Sequence, residues 1–130
     1  MLRTLLALAA VVEAGTGLVL LLAPAFVITL LLGEGVTGDV ALLGRLLGVA
    51  LLSLGVACWP SRQPVETDSS AFRGMLAYNA GVALYLAAVG TVGHRSGVLL
   101  WPAVVLHTVV ALLLVRARRD AASADRAPAP

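Results

Sequence analysis

Four apolar runs of about 20 residues, divided by short polar or turn-rich stretches, take up most of the chain. The first extends from about Thr4 to Leu22 and stops at Pro24, which has no N–H to donate and disfavours helix in the residue before it. The next segment, AFVITLLL at 25–32, is too short to cross a bilayer and is expected to form an interfacial half-helix or the frayed end of the first span, followed by a turn-rich loop from Gly33 to Gly38. A second span is expected over 40–58, closed by Trp59-Pro60, an aromatic at headgroup level followed by a helix stop. After the hydrophilic loop PSRQPVETDSS at 60–70 come a third span over 71–92, the turn HRSG at 94–97 and a fourth span over 98–115. The pattern predicts an all-α, polytopic four-helix membrane bundle in residues 1–116, with a polar, Pro-containing and flexible tail over 117–130.

Composition agrees with this pattern and excludes an ordinary soluble domain. The chain is 60% hydrophobic and 12% charged, with a mean hydropathy of +0.99, where a soluble domain carries about 25% charged residues. The nine basic residues are all arginine, which with the Ala, Gly, Val and Leu bias suggests a bacterial chain and hence the cytoplasmic (inner) membrane. The single cysteine, Cys58, cannot form an intrachain disulfide, and no Cys or His cluster has the spacing of a zinc site. No nucleic-acid partner is expected.

The distribution of the arginines sets an orientation. Arg3, Arg62, Arg73, Arg116, Arg118, Arg119 and Arg126 fall on the side of the termini and the 60–70 loop, whereas Arg95 falls opposite, beside Glu34 and Asp39. Loops rich in Arg stay in the cytoplasm during insertion, so both termini are expected there, with Arg45 left inside the membrane. A thiol reagent applied from outside should therefore modify a cysteine placed at Gly35 and spare one placed at Glu66; the reverse pattern would invert the topology. The first span also has features of a signal peptide, with Arg3 ahead of it and Ala23-Pro24-Ala25 resembling a cleavage site. Against that, its apolar run is longer than the usual 7 to 15 residues and is interrupted by Glu13.

Glu13 raises the functional question, because a carboxylate in hydrocarbon has to be neutral, paired or turned toward a wet cavity. At about 1.5 Å of rise per residue, Glu13 lies near the midpoint of the first span and His107 near that of the fourth. Arg45 lies roughly 6 Å to the outer side in the second and Asn79 roughly 5 Å to the inner side in the third. Each span thus brings one strongly polar side chain to a common slab, to which Tyr78, Tyr85, Thr16, Ser53 and Thr108 add hydroxyls. Small residues beside them, including Gly17, Gly44, Gly48, Ala103 and Ala111, suggest close-packed helix faces. Arg45 is the expected counter-ion of Glu13, with His107 able to donate to it or accept from it. Such a layer can serve as a ligand, ion or proton site, or it can simply fix which helices meet.

The two halves also align weakly. EAGTGLVLLLAP lies over NAGVALYLAAVG, matching Glu13 to Asn79, and RLLGVALLSLGV lies over LHTVVALLLVRA, bringing Arg45 within one position of His107. A duplication would make two parallel helical hairpins, each contributing to one centre.

A Glu in the first span, an Arg early in the second, Tyr78-Asn79 in the third and WPAVVLH entering the fourth give a layout that resembles small bacterial DoxX-like four-helix membrane proteins over residues 2–115. Some of these are linked with quinone-coupled thiol or sulfur oxidation. The resemblance implies Glu13 and Arg45 as residues to test. No haem pair, flavin motif or CxxC is present, so an enzyme of this kind would borrow its electron carrier and the cofactor stays open. Separately, Glu13-Ala-Gly-Thr16 resembles the first-helix segment of small multidrug resistance transporters, one residue short in spacing and without that family's aromatic-rich second helix. Two classes of function follow. One is a non-enzymatic binding or accessory subunit that docks a quinone, another hydrophobic ligand, a lipid or a partner helix, either from another membrane protein or from a second copy. The other is a proton-coupled small transporter or quinone-linked membrane oxidoreductase component in which Glu13 and His107 move protons.

Overall fold

The computed structural model describes residues 2–60, 66–67, 69–93 and 96–124. Most of the hydrophilic loop with Arg62, the His94-Arg95 pair and the end of the tail with Arg126 lie outside the described residues. The architecture is all-helical: α1 (Leu2–Leu22), α2 (Pro24–Leu32), α3 (Gly38–Ala57), α4 (Ser70–Thr91) and α5 (Leu100–Ala124). Four of the five, all except the short α2, are long and apolar enough to cross a membrane. Each turns most of its surface outward, with side chains such as Leu42, Leu43, Leu84, Val105 and Leu112 exposed. So much outward apolar surface is a liability in water and suits a lipid coat.

The ends of the elements follow local chemistry. Ala23, at φ −139°, breaks the chain direction ahead of Pro24, which opens α2 at a position where a missing N–H costs nothing. Gly33 closes α2 in the left-handed conformation at φ +77°, its N–H bonding the Thr29 carbonyl at 2.8 Å. Ser69 caps α4, accepting from the Phe72 N–H at 3.3 Å while donating to the Glu66 carbonyl at 2.8 Å. One end departs from expectation: α5 continues beyond Val115 to Ala124. Ala and Arg are strong helix formers, Arg116 approaches Asp120 at 4.0 Å one turn on, and Ser123 bonds back to the Arg119 carbonyl, so RARRDAASA extends the helix.

The helices form two tight pairs, α1 with α3 and α4 with α5, and the pairs meet through smaller contacts of α1 with α4 and α5. Backbone contact closes the first pair. A Cβ on Gly17 would lie 2.7 Å from the Gly48 carbonyl oxygen, one on Gly48 would lie 2.7 Å from that of Gly17, and one on Gly55 would lie 2.8 Å from that of Ala10. Gly44 instead receives Pro24 and Ile28 of α2. The second pair uses larger side chains. Phe72 and Met75 of α4 and Leu114 of α5 join Leu6, Ala9 and Ala10 of α1 and Cys58 in one sealed apolar cluster.

That cluster occupies the end of the bundle that holds the N-terminus, and α2 covers the opposite end. The last carbonyls of α2 have no partners within so short a helix. They are met by the turn that leads into α5: the Gly97 N–H bonds the Leu31 carbonyl and the Leu99 N–H that of Leu30, each at 2.9 Å. A side chain at Gly97 would collide with the Leu30 carbonyl, so this docking requires glycine. α2 is thereby tied to both pairs, against α3 at Gly44 and against the start of α5.

Candidate functional site

Between the apolar cluster and α2 lies the polar layer, narrower than the sequence implies. Glu13 and Asn79, 2% and 1% exposed, are the buried polar side chains among the described residues. Each sits about one turn past the cluster, Glu13 after Ala9 and Ala10 on α1 and Asn79 after Met75 on α4. His107, half-buried on α5, joins them, with its Nδ1 2.9 Å from Asn79 Oδ1 and 4.0 Å from Glu13 Oε1. The Asn79 amide nitrogen donates to the Met75 carbonyl at 2.9 Å. Tyr78 completes the group: its ring meets His107 edge-on, with centroids 5.7 Å apart at 79°. No buried side-chain nitrogen or oxygen among the described residues lacks a partner. Asn79 and His107 thus satisfy each other between α4 and α5, with the Glu13 carboxylate of α1 beside them, where lipid offers no partner.

Arg45 and Tyr85 fall outside this group. Arg45 is exposed on α3 and makes no ion pair with Glu13. The buried stripe of α3 is Gly44, Gly48, Leu51 and Gly55, and a residue next to Gly44 is turned about 100° away from it. Arg45 lies roughly 10 Å from the start of the helix, so its long side chain is within snorkelling reach of the nearer membrane surface. Tyr85 is 70% exposed. It follows Tyr78 by two turns along α4 yet faces outward. The hydroxyls of Ser53 and Thr108 turn back to their own helices, bonding the Val49 and Val104 carbonyls.

The first half of the proposed internal alignment agrees with burial. Glu13 and Asn79 are both buried, as are the matched Gly17 and Ala83, while Gly15 and Gly81 both face open space. The second half does not correspond, since Gly48 is buried and its match Val109 is exposed.

Above the layer is a feature not anticipated from sequence. A groove of about 270 Å³ runs between Val12 and Thr16 of α1, Val27 and Leu31 of α2, and the first turns of α5, where Ala103, Leu106 and His107 line it. Its walls are apolar apart from Thr16 and the imidazole. Ala103, expected on a close-packed face, instead leaves space one turn before His107. The groove depends on α2 folding back over the bundle, and that docking rests on backbone hydrogen bonds between segments far apart in the chain, which no local pattern announces.

No family model matches the chain, and neither the curated proteins nor the solved structures contain a significant match to it.

Proposed function

We propose that this multi-pass membrane protein binds a lipid-soluble small molecule in the α1–α2–α5 groove, with its polar head at His107 and its apolar part against Val12, Val27, Leu31 and Leu106. The observation that carries this reading is an apolar groove with one imidazole in its wall. Ligand sites are typically apolar clefts of roughly 300 to 1,000 Å³ with a few placed polar groups. At about 270 Å³ the groove suits a ring or a headgroup whose tail stays in the bilayer. Such a role needs no reaction, so the protein is read as a binding or accessory subunit. The arginine split supports a bacterial cytoplasmic membrane with both termini inside. The shared layout supports kinship with DoxX-like proteins, and through it a quinone-type ligand, as a further proposal.

One observation favours a second reading, proton relay. The 4.0 Å approach of His107 Nδ1 to Glu13 Oε1 sets a carboxyl group behind an imidazole that lines the groove. An imidazole can take a proton at one nitrogen and release one at the other.

Native mass spectrometry of the protein released from mild detergent tests the binding reading. The parent protein is expected to retain a lipophilic small molecule, and Ala103→Trp, which fills the groove from its wall, to lose it without loss of thermal stability. Equal retention by both proteins, or none by either, would refute the groove as the site.

A further inference from the structure

We infer that the groove selects a hydroxyl-bearing ligand, a membrane-soluble alcohol or phenol, because Asn79 fixes His107 as a hydrogen-bond acceptor toward the groove. This deepens the proposed binding function and rests on it. Asn79 is itself oriented: its amide nitrogen donates to the Met75 carbonyl at 2.9 Å, so its Oδ1 faces His107 Nδ1, also at 2.9 Å. Turning the amide over would set its oxygen against the Met75 carbonyl oxygen, two acceptors in contact. The partner of Oδ1 has to be a donor, so Nδ1 carries the hydrogen and the neutral ring presents a bare lone pair at Nε2.

Nε2 has no hydrogen-bond partner among the described residues, yet it is not a sealed, unsatisfied atom. His107 lines the groove, so the open edge of the ring is its acceptor edge. A ligand hydroxyl donates to it. A ketone, ester or ether head would bring lone pair against lone pair and leave Nε2 desolvated and unpaired. Thr16, the other polar residue of the groove, can donate or accept and so does not discriminate. Of a quinol and its quinone, the groove prefers the quinol. Asn79 acts here as a positioning residue: it touches no ligand and sets which one His107 can hold.

The test uses the full chain in detergent micelles with isotope-labelled histidine and alanine, in a His94→Gln background so that His107 gives the only imidazole signal. Para-hexylphenol and its methyl ether are the probes, matched in shape and differing in the hydroxyl hydrogen. Nitrogen NMR is expected to show a protonated Nδ1 and a bare Nε2, and para-hexylphenol to shift the Nε2 resonance. The phenol should bind about tenfold more tightly than the ether. Asn79→Leu, which frees the tautomer, should bring the two affinities together while both probes still perturb the Ala103 methyl signal. A protonated Nε2 in the parent protein, or equal affinities with both probes perturbing Ala103, would overturn the hydroxyl preference and leave the groove as a binding site. If neither probe perturbs Ala103, the groove reading falls with it.

Discussion

Gly48→Leu is expected to separate α1 from α3 and to cost about 3 kcal/mol, a large share of the stability of a typical domain. The two nearest atoms a Cβ would meet at Gly48 are the Gly17 carbonyl oxygen at 2.7 Å and the Leu21 amide nitrogen at 2.9 Å, both backbone, so moving a side chain cannot relieve the clash. The helices themselves have to part, and the loss spreads along the stripe through Leu51 to the contact of Gly55 with Ala10. Gly15 supplies the control. Nothing lies within 4 Å of its Cβ position, so Gly15→Ala should be neutral or slightly stabilising, since alanine is the better helix former. Even Gly48→Ala should melt well below Gly15→Ala when the two are compared by thermal unfolding in the same detergent. Equal melting temperatures would mean that the backbone contact does not hold the pair together.

The difference between those two glycines shows what could be read along the chain. Spans, the half-helix and its proline break follow from apolar run length and from the chemistry of Pro24, which are local properties, and the four long helices lie where those runs are. Depth is also nearly local, since rise per residue is fixed. Glu13, Asn79 and His107 therefore meet as their positions along the spans imply. Rotation about each helix axis is not local. In a soluble helix the polar face marks the outside, but here lipid makes the outside apolar too, and small residues on one face stand as the main sign of its direction. Gly44 and Gly48 gave the stripe of α3 correctly, and Arg45, one residue from Gly44, had to point elsewhere. Pairing it with Glu13 used depth without rotation. The same omission kept Tyr85 in the layer. α2 was legible as a half-helix, but its docking, and with it the groove, depends on the Gly97 and Leu99 amides from the far end of the chain.

The contribution of the polar layer to the fold separates from its contribution to binding in the pair Asn79 and His107. Asn79→Leu leaves the His107 N–H without its acceptor, and His107→Leu leaves the Asn79 oxygen without its donor, so each single change should destabilise by about 1 to 3 kcal/mol. The double change removes donor and acceptor together. It should cost clearly less than the sum of the two, because no polar atom of the pair is then stranded among apolar side chains. Strict additivity in thermal or denaturant unfolding would mean that the 2.9 Å contact contributes nothing. Ligand retention should follow a different order. The double variant, though it recovers stability, has no imidazole in the groove wall and is expected to be as empty as His107→Leu, whereas Asn79→Leu keeps the ring and retains some ligand. His107→Gln extends the comparison: its amide N–H can still bond Asn79 and so preserve the fold, but it cannot pass a proton from one side of a ring to the other. A stable His107→Gln protein that keeps full function would rule out proton relay and leave binding as the role of the groove. A double variant that still holds its ligand would show that His107 serves only to join α5 to α4.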